Sequence, residues 1–153
     1  MRKILIQAAI LIAAGACLGL ASNAIRPNGL PWVYRQGQES TQIEPIDLAG
    51  AKKLFDEGKA LFVDARPARE FAQGHVKGAV SLPEDEMEKG LPAFTAKTPL
   101  DRPLVVYCSG TDCNASVILG GRLADVGYLE VHVFFGGWPE WVKAGHPTGG
   151  PWN

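Results

Sequence analysis

The spacing of hydrophobic and polar positions changes along the chain and divides it into three parts. Residues 4–20 form an apolar run that follows two basic residues, with Gln7 as its one clearly polar interruption. Residues 26–41 are rich in proline, glycine and polar side chains, which is typical of a linker. In residues 42–153, short apolar stretches of strand length alternate with stretches whose apolar residues recur at helical spacing. The pattern therefore predicts an N-terminal apolar segment, a linker and one folded domain.

The third part predicts strands and helices in alternation. The predicted strands cover residues 42–46, 60–63, 79–82, 103–107 and 131–135. The predicted helices are one that Asp47 caps and Gly58 ends, and three over residues 84–94, 114–126 and 138–144. Because strands separated by helices pair in parallel, we expect an α/β fold, a doubly wound parallel sheet with helices on both faces. The Gly120-Gly121 pair inside a predicted helix indicates close contact with a neighbouring element.

Residues 1–25 predict a transmembrane anchor or a signal peptide. A charged start before an apolar stretch is the layout of a secretory signal, and the stretch up to Ile25 is long enough to span a bilayer as a helix. A retained anchor, cleavage after Ala24 and a lipoprotein at Cys17 are the three outcomes we consider. In each of them the basic end stays inside and the rest of the chain crosses. We therefore expect the domain on the extracytoplasmic, periplasmic side, either held at the membrane or secreted.

Composition narrows the classes of function. The formal net charge is -1 and no basic cluster is interleaved with aromatic residues, so we do not expect nucleic acid as a partner. Three cysteines cannot form a disulfide framework, and Cys17 lies in the apolar N-terminal segment. Cys108 and Cys113 therefore remain as the pair to explain. We expect no cofactor, because no cofactor motif is present, and no metal, because the scattered histidines do not complete a closed zinc site.

Two polar turns follow predicted strands, at the sheet edge where parallel α/β folds place their sites. One is Asp64-Ala65-Arg66, and the other is a seven-residue loop of Cys108, Ser109, Gly110, Thr111, Asp112, Cys113 and Asn114. The loop leads from a buried strand into a helix, so several main-chain N–H groups can point at one atom near the positive end of that helix. A Cys108 thiolate there should have a pKa below that of a free thiol and act as a nucleophile. We expect the N–H groups of residues 109–113 to stabilise a persulfide anion in the same way.

Residues 62–148 resemble the rhodanese-like domain. The resemblance is carried by three stretches, which read DARPAREFAQGHVKGAVSLP at 64–83, VVYC at 105–108 and GGWPEWVKAGHP at 136–147. It implies a rhodanese-like α/β sandwich and a cysteine, here Cys108, that accepts sulfur from a donor and passes it to a nucleophile. The implied function is a sulfurtransferase or persulfide carrier. Its partners would be a small sulfur donor and a thiol or other nucleophilic acceptor.

The active-site loop departs from the family pattern. Many active members hold an anionic donor with an arginine inside this loop, whereas this loop has none, and Asp112 adds a negative charge that works against thiosulfate. The segment from the loop to Gly127 also looks about two residues longer than in the usual single-domain form. Arg66 either contacts the substrate from its strand end or is structural. We expect Asp64 to fix the surrounding loops by hydrogen bonding.

Cys113 leaves three interpretations open. It is a resolving thiol that forms a disulfide with Cys108, an inert small residue, or a metal ligand. The disulfide requires the two Cα atoms to lie within about 7 Å, and an oxidising compartment would favour it. Two rival functions follow from these alternatives: a thiol–disulfide redox protein that uses both cysteines, and a non-catalytic module tethered to a membrane protein partner. A phosphatase or arsenate reductase is a minor fourth candidate, weakened by the missing loop arginine.

Overall fold

The computed structural model describes residues 43–151, together with Gln7 in the N-terminal segment. The chain divides into two units, residues 1–37 and 38–153, and the fold described below belongs to the second. Gln7 aside, the predicted membrane segment at 1–25, the linker at 26–41 and Cys17 lie outside the described residues. In the part of the chain that the structure describes, no helix is long and apolar enough to cross a bilayer.

The described residues form seven strands, and five of them make up a parallel central sheet. In chain order the strands are β1 (Ile43–Ile46), β2 (Leu61–Asp64), β3 (His75–Val76), β4 (Val80–Ser81), β5 (Leu104–Tyr107), β6 (Val131–Phe134) and β7 (Thr148–Gly149). The order across the sheet is β1-β6-β5-β2-β4, and every neighbouring pair is parallel. This arrangement confirms the predicted fold class. A separate antiparallel pair, β3 with β7, was not predicted, because neither of its two-residue strands lies in an apolar run like that of residues 79–82.

Helices connect the strands and cover the sheet. They are α1 (Leu48–Asp56), α2 (Ala68–Gln73), α3 (Met87–Thr95), α4 (Ala115–Asp125) and α5 (Gly137–Lys143), and a short 3-10 turn (Glu84–Glu86) precedes α3. The predicted start of α1 is confirmed, because Asp47 Oδ1 accepts a hydrogen bond of 2.8 Å from the Gly50 N–H. Helix α2 was not predicted. Its six residues include none that is buried, so no apolar face marks it in the sequence.

The sheet is apolar on both faces because both faces are covered. Successive residues of a strand point to opposite sides. Thus Val63 and Val106 pack with the buried leucines of α3 and α4 on one side. Phe62, Val105 and Tyr107 pack with Ala51 of α1 and Trp141 of α5 on the other. Runs of β-branched and aromatic residues with no polar alternation are what a parallel sheet between two helical layers requires.

Helix α4 lies unusually close to the sheet, as its paired glycines predicted. A Cβ atom added at Gly120 would lie 3.2 Å from Val133 Cγ2 and 3.6 Å from Val131 Cγ1. The neighbouring element is therefore β6. Gly121 has more room, since an added Cβ would meet only Ile43 Cδ1, at 3.7 Å. The close approach fixes the position of α4, and the loop that carries Cys108 leads directly into this helix.

Candidate active site

The two polar turns that the sequence singled out lie side by side. Strands β2 and β5 are paired so that Asp64 lies opposite Tyr107, and the Ala65 N–H donates to the Tyr107 carbonyl over 2.9 Å. Cys108 follows Tyr107 directly, at the carboxyl edge of the central strand β5. The sheet topology therefore brings the Asp64–Arg66 turn and the cysteine loop to one edge, where open α/β sheets hold their ligands.

Asp64 and Arg66 form a buried ion pair beneath the loop. Asp64 is fully buried and Arg66 is 3% exposed. The Arg66 Nη2 donates to Asp64 Oδ2 over 2.6 Å, Nε donates to Oδ1 over 3.0 Å, and the Arg66 N–H donates to Oδ1 over 2.9 Å. Burial opposes the charge of Arg66, but the hydrogen bonds and charge of Asp64 outweigh it and raise the pKa of Arg66 above its ordinary value. Asp64 thus fixes the turn by hydrogen bonding.

The Arg66 guanidinium also makes contacts with residues outside the turn. Nη2 also donates to the Gly74 carbonyl over 2.6 Å. The guanidinium carbon lies 4.9 Å from the centre of the Trp138 ring and 5.8 Å from that of Tyr107, within the range of cation–π contacts. Between the two interpretations that the sequence left open for Arg66, this geometry favours a structural role over direct contact with a substrate.

Tyr107 ties the end of β5 to the segment after α2. Its hydroxyl accepts a hydrogen bond of 3.1 Å from the Val76 N–H. Burial, reinforced by the Asp64 carboxylate, raises the pKa of Tyr107 far above its ordinary value, so the hydroxyl stays neutral. The residue before Cys108 is therefore held rigidly by its own side chain.

Cys108 and Cys113 are joined by a disulfide. Their Cα atoms are 6.3 Å apart, within the range that the bond requires. Cys108 is only 2% exposed, whereas Cys113 is half-buried. Of the three interpretations of Cys113 that the sequence left open, the structure thus shows the pairing with Cys108.

The ring of main-chain amides predicted around Cys108 is not formed in this disulfide-bonded state. In the described residues, no main-chain N–H group donates a hydrogen bond to Cys108 Sγ. The Cys113 N–H instead donates to the Gly110 carbonyl over 3.1 Å and closes a turn. Gly110 has a φ of +123°, which only glycine adopts readily. The physical reason is that the loop folds back to bring Cys113 to Cys108, and this turn uses an amide that the prediction had aimed at the sulfur.

A second turn, Gly136-Gly137, supports the loop from the side of α5. The Trp138 N–H donates to the Cys108 carbonyl over 2.8 Å. Gly137 has a φ of +58°, and a Cβ atom there would collide with the Cys108 carbonyl oxygen and lie 2.8 Å from the Gly110 nitrogen. The sequence analysis did not place Gly137 at the site. The glycine pair at the start of the stretch 136–147 was the one feature of the sequence that could have indicated this close contact.

Glu70 connects the loop to the buried ion pair, and it was also missed. The Ser109 hydroxyl donates to Glu70 Oε2 over 3.3 Å, and the same carboxylate oxygen lies 3.8 Å from Arg66 Nη1. The loop residue beside Cys108 thus reaches Arg66 through one carboxylate. The spacing of residues along the sequence did not predict this contact, because Glu70 lies in α2, which has no apolar face.

An open cleft of about 690 Å³ lies over the loop. It is lined by Ser109, Gly110, Thr111, Asp112 and Cys113 of the loop, and by Gly136, Pro139, Glu140 and Lys143 beside them. Asn114 is exposed at the start of α4 and makes no side-chain capping bond. The carboxylates of Asp112 and Glu140 outnumber the single ammonium of Lys143, which works against an anionic ligand.

The histidines have structural partners. His75 stacks on Phe71 with ring centres 3.8 Å apart, and its Nδ1 hydrogen-bonds the Phe71 carbonyl at 2.9 Å. His132 hydrogen-bonds Glu130 at 2.9 Å. Within residues 43–151, no group of three or more histidine, cysteine, aspartate or glutamate side chains is placed to hold a metal ion.

Comparison with known proteins gives consistent matches for the folded domain. A family model described as the rhodanese-like domain matches residues 47–144. An HTH-type transcriptional regulator of Mycobacterium tuberculosis is 34% identical over 105 residues, which are 69% of this chain and 44% of that protein. The chain therefore spans less than half the length of this relative.

Two solved sulfurtransferase structures superpose on the domain. A human single-domain sulfurtransferase is 26% identical with a TM-score of 0.56, and the match covers 67% of this chain and 97% of that one. A thiosulfate sulfurtransferase from Pseudomonas aeruginosa is 27% identical with a TM-score of 0.58, and the match covers 71% of this chain and 20% of that one.

Proposed function

The chain belongs to the rhodanese-like domain family, and on that premise we propose that it is a sulfurtransferase or persulfide carrier with Cys108 as the nucleophile. One observation carries the proposal: Cys108 directly follows the buried strand β5 and begins a loop whose next five residues, 109–113, line an open cleft at the carboxyl edge of the sheet. The two solved relatives described above are named as sulfurtransferases, which supports the same chemistry.

In the proposed reaction, the Cys108 thiolate attacks the outer sulfur of a small donor. A sulfur–sulfur bond forms at Cys108, and the bond between that sulfur and the rest of the donor breaks, with the electron pair leaving on the donor. The outer sulfur of the persulfide then passes to a thiol or another nucleophilic acceptor. The positive end of α4 favours the anion at Cys108, while Asp112 and Glu140 disfavour a strongly anionic donor such as thiosulfate.

Mass spectrometry tests the proposal. The reduced chain is exposed separately to thiosulfate, inorganic polysulfide and glutathione persulfide, and alkylated peptides are then mapped. We expect one added sulfur atom on Cys108 with at least one donor. Cys17→Ser should load like the parent chain, and Cys108→Ser should not load at this loop. An unmodified Cys108 with all three donors in Cys113→Ser, where no second loop thiol can displace the added sulfur, would refute the proposal.

A second candidate function is thiol–disulfide exchange by Cys108 and Cys113. The disulfide between them favours it. Cys113→Ser separates the two functions, because it should abolish cycling between dithiol and disulfide while sulfur loading at Cys108 persists. Loss of both activities in Cys113→Ser would instead favour the redox function as the primary one.

We further propose that residues 1–25 place the domain on the extracytoplasmic side of a membrane. Support comes from the charged start and the apolar run in the sequence. A disulfide is more stable in such an oxidising compartment than in a cytosol. Tethering would also bring the cleft near a membrane protein partner, and this is the role that a catalytically inactive domain would retain.

A further inference from the structure

We propose that Cys113 attacks the Cys108 persulfide and displaces its outer sulfur as hydrosulfide, which leaves a disulfide between the two cysteines. A dithiol then reduces this disulfide by attack at Cys113. The inference rests on the proposed sulfur loading of Cys108. It adds a second fate of the transferred sulfur, which leaves as sulfide when no external acceptor takes it, and it adds a second substrate of the dithiol class.

The loop already holds the geometry that the displacement needs. Cys113 Sγ is bonded to Cys108 Sγ, and the Cα atoms are 6.3 Å apart. The turn closed by the Cys113 N–H and the Gly110 carbonyl brings Cys113 back to the strand end. A thiolate held beside an S–S bond reacts at a high effective concentration, so an internal attack outpaces an external thiol.

The step balances as a thiol–disulfide exchange. The Cys113 thiolate attacks the inner sulfur of Cys108–S–SH. The bond between Cys113 Sγ and Cys108 Sγ forms, the bond to the outer sulfur breaks, and the outer sulfur leaves with the electron pair and its proton as HS⁻. The transferred sulfur atom is reduced to sulfide, and the two cysteine thiols are oxidised to the disulfide.

The unequal burial of the two sulfurs assigns their roles in the return step. Cys108 is 2% exposed, whereas Cys113 is half-buried and lines the open cleft. An incoming thiolate therefore reaches Cys113 first, and Cys108 leaves as the thiolate. The second thiol of a dithiol then releases Cys113. A monothiol is a poorer reductant here, because Cys108 can attack the mixed disulfide and re-form the internal bond.

The cycle also sets a condition for sulfur loading. In the disulfide state Cys108 has no free thiolate and is covered, so it cannot take sulfur from a donor. Each reduction by a dithiol thus permits one loading event and the release of one sulfide.

The test compares Cys17→Ser with the double variant Cys17→Ser/Cys113→Ser, both reduced and kept free of oxygen. Each is mixed briefly with sodium tetrasulfide and desalted, and the persulfide, the disulfide and sulfide are then followed over time. Cys17→Ser serves as the matched control, because it is the same substitution outside the loop. Circular dichroism confirms that the double variant is folded.

We expect Cys17→Ser to convert to the disulfide with one sulfide per chain, and its persulfide to decay at least about tenfold faster than that of the double variant. Equal, long-lived persulfides in both proteins would overturn the role of Cys113 and leave sulfur transfer by Cys108 intact. A Cys108 that loads in neither protein would instead overturn the proposed function itself. A persulfide found on Cys113 in Cys108→Ser, with none on Cys108 in the double variant, would reverse the assigned roles and overturn the inference.

Discussion

At the scale of single residues, the buried charges of Asp64 and Arg66 each need the other as a partner, so removing one destabilises the fold. Arg66→Ala leaves the Asp64 carboxylate fully buried without its main partner. We expect the free energy of unfolding to fall by about 3–5 kcal/mol, as measured by urea denaturation. Arg122→Ala is the matched control, because Arg122 makes a similar two-point contact with Glu88, but both of those side chains are exposed. If both variants lose little stability, Asp64 has another compensating partner.

Gly137 is the residue whose missing side chain lets the loop close. Gly137→Ala both forces a φ of +58° on an L residue and pushes a methyl group against Gly110 and Cys108. Gly145→Ala is the matched control, because Gly145 has a φ of +69° with nothing within 4 Å of an added Cβ. The backbone strain alone costs about 1–2 kcal/mol in each variant, and overpacking adds roughly 1 kcal/mol or more in Gly137→Ala. Sulfur loading at Cys108 should fall only in Gly137→Ala; equal loading in both would show that the collision does not reach the loop.

At the scale of secondary-structure elements, the two glycines of α4 differ in the room they have. Gly121→Ala should raise the free energy of unfolding by about 0.5–1 kcal/mol, because alanine is the better helix former and an added Cβ makes only an ordinary contact. Gly120→Ala should gain clearly less, because its Cβ would press on Val133 at 3.2 Å. Chemical denaturation of the two variants side by side gives the difference. Equal gains would mean that β6 yields to the extra methyl group without cost.

The sequence predicted the elements whose side chains repeat over several turns or strand positions. Strand β5, with its four buried residues, and helix α1, with its capping Asp47, are examples. It could not predict α2 or the β3–β7 pair, because elements of six and two residues carry no period. Cys108 was identified through its place at a strand end. The contact of Ser109 with Glu70 depends on tertiary packing, so spacing along the chain does not reveal it.

The loop conformation is a further case that the sequence left open. Small residues indicated that backbone amides were free to converge on Cys108, and they equally allowed the turn in which the Cys113 N–H bonds to Gly110. The structure shows the second of these, in which Cys108 and Cys113 are bonded to each other. Local sequence alone does not reveal the disulfide, because its formation depends on the redox environment of the folded chain.

At the scale of the whole molecule, we expect residues 1–25 to set that environment, and this prediction rests on the sequence. The full chain should sediment with membranes, and the double variant Leu11→Arg/Ala14→Arg should move to the soluble fraction. An arginine at the centre of a spanning helix raises the free energy of membrane insertion by about 2.5–3.5 kcal/mol, and two substitutions double this cost. Leu129→Arg is the matched control, since Leu129 is 70% exposed on the folded domain and the variant should stay with the membranes.

The redox state of the loop gives the same experiment a second readout. If the apolar segment carries the domain out of the cytosol, alkylation in whole cells should find Cys108 and Cys113 bonded in the full chain and as free thiols in the double arginine variant. Because the reductant must then reach Cys113 through the open cleft, a membrane-impermeant dithiol should open the bond in intact spheroplasts. A pair that remains reduced in the membrane-bound chain would contradict the extracytoplasmic placement of the domain.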